Sequence, residues 1–90
     1  MSYRVVVTPA PTKFLERLRD ESLKRRIAKA LRVLENDPRP PGSLKMQGGD
    51  ELYRMRVGDY RIVYQIQDAV LVVLVVLVVQ IGHRREIYRQ

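Results

Sequence analysis

Hydrophobic and polar positions alternate with three different periods along this chain. Tyr3 to Thr8 (YRVVVT) is a short β-branched run that reads as a strand, and Pro9 and Pro11 stop it and prepare a helix start. Phe14, Leu15 and Leu18 then fall at helical spacing, which predicts a first helix over about Thr12 to Arg19. Asp20 is a natural N-cap for a second helix. Its apolar stripe is Leu23, Ile27, Ala30, Leu31 and Leu34, with Lys24, Arg25, Arg26, Lys29 and Arg32 on the other faces. Asn36-Asp37-Pro38 ends it, because proline disfavours α geometry in the residue before it.

From Glu51 the period becomes two. ELYRMRVGDYRIVY predicts a hairpin turning at Gly58-Asp59, which pairs Val57 with Tyr60, Met55 with Ile62 and Tyr53 with Tyr64. Those six residues make one core-facing surface. The other face carries Arg54, Arg56 and Arg61, with Arg56 directly across from Arg61. Like charges so opposed destabilise a hairpin. An anion between them is one reading, and long side chains splayed into water is the other.

Asp68 marks a further turn, and Ala69 to Ile81 (AVLVVLVVLVVQI) shows no alternation. A β-branched run of this kind suits a central strand covered on both faces. Its threefold VLV gives no register from side-chain pattern, so its neighbours must fix it. Gly82 ends it. The order β-α-α-β-β-β over residues 1–90 predicts a single α+β domain, with an antiparallel-dominated sheet and a helical hairpin packed on one face. Between helix and hairpin, Arg39 to Asp50 (RPPGSLKMQGGD) reads as a loop. Lys45 is its candidate functional residue, or Leu44 and Met46 simply pin the loop to the core.

Charge narrows the function. Seventeen basic residues against ten acidic ones give +7, which calls for a polyanionic partner without saying which. The absence of cysteine excludes disulfides and thiolate metal sites. One histidine and scattered carboxylates favour a protein that works without metal or cofactor. The longest apolar run, eleven residues from Ala69 to Val79, is too short to span a bilayer as a helix, and no signal-peptide pattern opens the chain. A cytoplasmic location with no membrane partner is the expectation. The last residues, His83-Arg84-Arg85-Glu86-Ile87-Tyr88-Arg89, are dense in groups that can grip or protonate phosphate.

Together the element order, LYRMRVGDYRIVYQI and the closing IGHRREIYR resemble the RelE/ParE superfamily of small bacterial toxins, nearer its RelE branch, across essentially the whole chain. The resemblance implies the toxin of a type II toxin–antitoxin system. Its activity would be ribosome-dependent, metal-independent cleavage of mRNA in the ribosomal A site, by attack of a ribose 2′-OH on the adjacent phosphate. Its partners would be the ribosome, mRNA and a RelB-like antitoxin. Carried over residue by residue, Arg54 and Arg56 match the two basic positions before the turn, which are lysines in the best-known members. Arg61 matches the arginine after the turn, Arg84 the one near the C-terminus, and Tyr88 the tyrosine that stacks on the target base. Arg85 and Arg89, with Lys45, are further RNA contacts on this reading.

Arginine stays protonated below a pKa of about 12, so Arg54 and Arg56 suit charge stabilisation better than general-base work. His83 is the one side chain that ordinarily titrates near neutrality; it takes acid or base work, or is structural with proton transfer left to ribosomal RNA. The segment from Asp68 to Gly82 is three residues longer than the family pattern, and an odd insertion inverts the facing of every residue after it unless a bulge absorbs it. Two other functions fit the fold: a ParE-like inhibitor of DNA gyrase, and a catalytically inactive basic binding module.

Overall fold

The computed structural model describes residues 2–47, 51–58, 60–75 and 82–83, with backbone alone at 74, 75, 82 and 83. Within it the chain runs β1 (Arg4–Val7), α1 (Pro9–Arg17), α2 (Glu21–Asn36), β2 (Leu44–Lys45), β3 (Leu52–Val57), β4 (Tyr60–Gln67), a 3-10 turn (Asp68–Val70), β5 (Val72–Val75) and β6 (Gly82–His83). The sheet order is β1-β5-β4-β3-β2, and β6 also pairs with β4. Among the described residues only β1 and β5 run parallel; the other pairings are antiparallel. The fold is α+β, as the element order predicts.

Helix α1 starts three residues earlier than its apolar spacing suggests. Pro9 takes the first helical turn, where a missing N–H costs nothing, and Pro11 is buried beneath it. Helix α2 begins as predicted: the Asp20 carboxylate accepts from the Leu23 N–H at 3.0 Å. Leu23, Ile27 and Leu34 are its buried stripe, with Ala30 and Leu31 partly buried beside it. Both helices close one face of the sheet over Tyr53, Met55, Val57, Ile62, Tyr64, Ile66 and Val73. Tyr64 and Ile62, the centre of this core, are fully buried, and Phe14 of α1 sits against Tyr60 with ring centroids 6.1 Å apart.

The hairpin has the predicted register: Val57 opposite Tyr60, Met55 opposite Ile62, Tyr53 opposite Tyr64, and Arg56 opposite Arg61. Gly58 turns it with φ +61, a left-handed conformation. The loop after α2 differs from expectation by contributing β2, where Leu44 pairs with Arg54 and Lys45 with Tyr53.

Predicted as one strand from Ala69 to Ile81, the valine-rich run behaves differently. Residues 68–70 form the 3-10 turn, Leu71 adopts φ 52, and the strand begins only at Val72. It is central, lying between β1 and β4, and Val73 is fully buried. Residues 76–81 lie outside the described residues. On either side of them, Val75 is opposite Tyr64 and Gly82 opposite Arg61, and the inversion of facing expected from a longer segment falls on these undescribed residues.

Candidate RNA-binding face

Strands β3 and β4 each send alternate residues away from the helices. On β3 these are Leu52, Arg54 and Arg56; on β4 they are Arg61, Val63, Gln65 and Gln67. The ladder sets Arg54 opposite Val63 and Arg56 opposite Arg61, so three guanidiniums share one side of two adjacent strands. This face is not simply solvated. Val63 is 1% exposed, Arg54 and Arg61 are half-buried, and the Arg61 Nε is withdrawn from solvent altogether. Arg56, the exposed member, donates from Nε to the Gly58 carbonyl at 2.8 Å, which draws its guanidinium toward the hairpin tip.

A site of this kind stabilises negative charge rather than moving protons. Guanidiniums fixed on a rigid hairpin present forked donors suited to phosphate oxygens. Among the described residues no group of three or more histidine, cysteine or carboxylate side chains is placed to hold a metal ion.

The remaining candidates divide. Lys45 is not brought to the arginines. It pairs in register with Tyr53, on the helix-side face, and its Nζ lies 3.3 Å from the Glu51 carboxylate. The backbone of His83 stands opposite Tyr60, one position along from Gly82 opposite Arg61. Arg84, Arg85, Tyr88 and Arg89 lie outside the described residues.

One cluster carried no motif. The Arg39 guanidinium donates from Nη2 to Asp68 at 2.8 Å and from Nε to the Tyr53 hydroxyl at 3.0 Å, and approaches Glu51 at 3.4 Å. The Tyr3 hydroxyl donates to the other Asp68 oxygen at 2.6 Å. These bonds hold the Asp68 carboxyl below its ordinary range, Arg39 contributing most, while the Tyr3 hydroxyl is raised chiefly by its bond to Asp68. Glu51 is lowered mainly by its bond from Lys45. No helix among the described residues is long and apolar enough to cross a membrane.

Comparison with known proteins adds to this geometry. The sequence model of the ParE toxin of type II toxin–antitoxin systems, parDE, matches residues 5–88. The fold is similar to that of RelE in the archaeal RelE–RelB complex from Pyrococcus horikoshii OT3, at 31% identity and TM-score 0.74, covering 83% of this chain and 90% of that one. It is also similar to the isolated E. coli RelE toxin, at 26% identity and TM-score 0.76, covering 98% and 93%. RelE in the intact E. coli RelBE complex matches at 25% identity and TM-score 0.71, covering 82% and 90%. No curated protein matches. With a family match over nearly its whole length and the RelE fold beneath it, this chain belongs to the RelE/ParE superfamily of type II toxin–antitoxin toxins.

Proposed function

We propose that this toxin is a ribosome-dependent endoribonuclease that cuts mRNA in the A site without metal. The observation that carries the reading is the placement of Arg54, Arg56 and Arg61 on one face, two of them directly opposed. Placing like charges across a ladder costs stability, and a bound phosphate offsets that cost.

In the reaction a ribose 2′-OH attacks the adjacent phosphorus, the 5′-oxygen leaves, and a 2′,3′-cyclic phosphate or 3′-phosphate and a 5′-OH result. The phosphorane passed on the way carries more negative charge than the ground state. Fixed guanidiniums at Arg56 and Arg61 stabilise it preferentially, with Arg54 positioning the chain. The scheme gives Arg84 a share of that charge, Tyr88 a stacking face for the base, and His83 or ribosomal RNA the proton transfers. Lys45, Arg85 and Arg89 would serve only to hold RNA. The similarity to RelE chains solved with RelB supports a RelB-like antitoxin as partner, and a basic toxin suits an acidic one.

The test is to map mRNA 5′ ends in a purified translation system with ribosomes present or omitted. Cuts confined to the A-site codon, and lost without ribosomes, are expected. Arg61→Ala should lower the cleavage rate by about 10²–10³ while ribosome association survives. A second reading, inhibition of DNA gyrase, draws on the ParE family match. Intact message together with loss of gyrase supercoiling would favour it.

A further inference from the structure

The hairpin tip joins the arginine face to a second feature. Arg26 of α2 lies against Gly58, its Nη1 3.3 Å from where a Cβ would stand, and Arg56 bonds the carbonyl of the same glycine. Two guanidiniums from different elements therefore meet on one turn. Neither forms an ion pair among the described residues, and nor does Lys29, one helical turn beyond Arg26. Beside them runs a groove of about 410 Å³ between α2, the end of β3 and the loop at Pro40-Pro41. Arg26, Lys29 and Arg56 supply its cations, Val33, Met55 and the two prolines part of its apolar wall, and no carboxylate lines it. Val33, 39% exposed, is one of the few large apolar side chains left open on the described surface. Arg26, Lys29, Ala30 and Val33 fall at i, i+3, i+4 and i+7, a second stripe on α2 beside its buried one.

We infer that this groove is a nucleotide subsite, taking one residue of single-stranded RNA that flanks the reacting phosphate. The inference rests on the RNA reading above for the identity of the ligand. A nucleotide joins a phosphate to a flat, largely apolar base, and the groove joins unpaired guanidiniums to an apolar wall. Its volume is at the small end of ligand pockets, which run from about 300 to 1,000 Å³. Arg56 is common to both sites, so a strand lying along Arg61 and Arg56 reaches Arg26 with no gap in positive charge. An acidic peptide would find the same cations. Continuity with the arginine face favours RNA.

The experiment uses the purified toxin and a short 2′-O-methyl RNA oligonucleotide, which has no free 2′-OH and cannot be cut. Binding is followed by the Nε–H resonances of the arginines in NMR. Arg26 and Arg56 should shift together. Arg26→Ala should weaken binding by about tenfold and lower the slope of log K against log salt by about 0.7, the value for one contact to a single strand. Val33→Asp, which sets a carboxylate on the wall without touching Arg26, should weaken binding similarly. Unchanged thermal melting of both variants would exclude loss of fold. Shifts confined to Arg54 and Arg61, with both variants binding normally, would overturn the subsite. So would a poly-glutamate peptide that shifts Arg26 at lower concentration than the oligonucleotide. The cleavage assay separates the two claims. RNA binding at Arg26 with intact message on ribosomes leaves the subsite standing and removes the nuclease reading. Cleavage with no RNA at Arg26 does the reverse.

Discussion

Arg39 and Asp68, 29 residues apart, form an ion pair of 2.8 Å that ties the loop after α2 to the turn between β4 and β5. Tyr3 joins from the start of β1 through its own bond to Asp68, and Tyr53 lies beneath the guanidinium, 5.2 Å from ring centroid to Cζ. Four separate stretches are thus held together. Each pair is partly exposed, so its own contribution is modest. The value of the cluster lies in fixing where the valine-rich strand begins.

That cluster makes stability depend on acid. The Asp68 carboxyl is lowered in the fold, by Arg39 first and then Tyr3. A lowered carboxyl contributes stability that is fully present above its unfolded pKa of about 3.9 and is lost as pH falls through the folded value. Asp68→Asn should therefore melt below the wild type at pH 7, with the difference shrinking toward pH 2. Melting curves by circular dichroism across that range check it, and a gap that stays constant with pH would remove Asp68 as the titrating group.

A second anchor is buried. The Tyr64 hydroxyl, within the core, donates to the Pro38 carbonyl at 2.9 Å and so pins the chain just after α2 to the middle of β4. Burial pushes its pKa up to about 12. Tyr64→Phe keeps the ring but leaves that carbonyl unsatisfied, at a cost of about 1–3 kcal/mol in denaturant unfolding. In an alkaline absorbance titration the wild type should show a late-ionising tyrosine that the Tyr64→Phe variant lacks.

How far the sequence reveals all this depends on the range of the interactions. The hairpin register and the arginine face follow from period-two alternation around Gly58, and the Asp20 cap from a local hydrogen bond; both are encoded within a few residues. The parallel pairing of β1 with β5 is not, because Arg4 and Val72 stand far apart in the sequence and the VLV repeat looks the same in every register. The role of Arg39 is illegible for the same reason: its partners Tyr53 and Asp68, and Tyr3 beyond Asp68, are distant in sequence. Arg26 is hidden differently, as one of several cations on a basic helix, and only its approach to Gly58 sets it apart.

Gly58 is thus required twice. Its φ of +61 is left-handed, where a Cβ costs about 1–2 kcal/mol, and that Cβ would also press on Arg26 at 3.3 Å. Gly58→Ala should destabilise the fold by about that amount. Gly58→Asn should recover part of the backbone cost, since asparagine tolerates this conformation, while still crowding Arg26. Equilibrium unfolding of the two variants separates the contributions, and equal losses would mean that the guanidinium contact dominates.

Opposed arginines leave a signature that a merely solvated basic face would lack. Arg56 faces Arg61 across the ladder and shares Gly58 with Arg26, so its charge works against two others in the absence of ligand. Such repulsion is worth about 0.2–1 kcal/mol and is screened as salt rises, the Debye length falling from about 10 Å at 0.1 M to about 3 Å at 1 M. The wild type should therefore gain melting temperature with added sodium chloride, and Arg56→Gln should gain much less. At low salt the variant should match or exceed the wild type in stability while losing most of the mRNA cleavage proposed above. A residue that lowers the stability of the free protein yet supports its activity is placed for a ligand. If Arg56→Gln instead unfolds more easily at every salt concentration, its bond to Gly58 outweighs the repulsion and the arginine belongs to the fold.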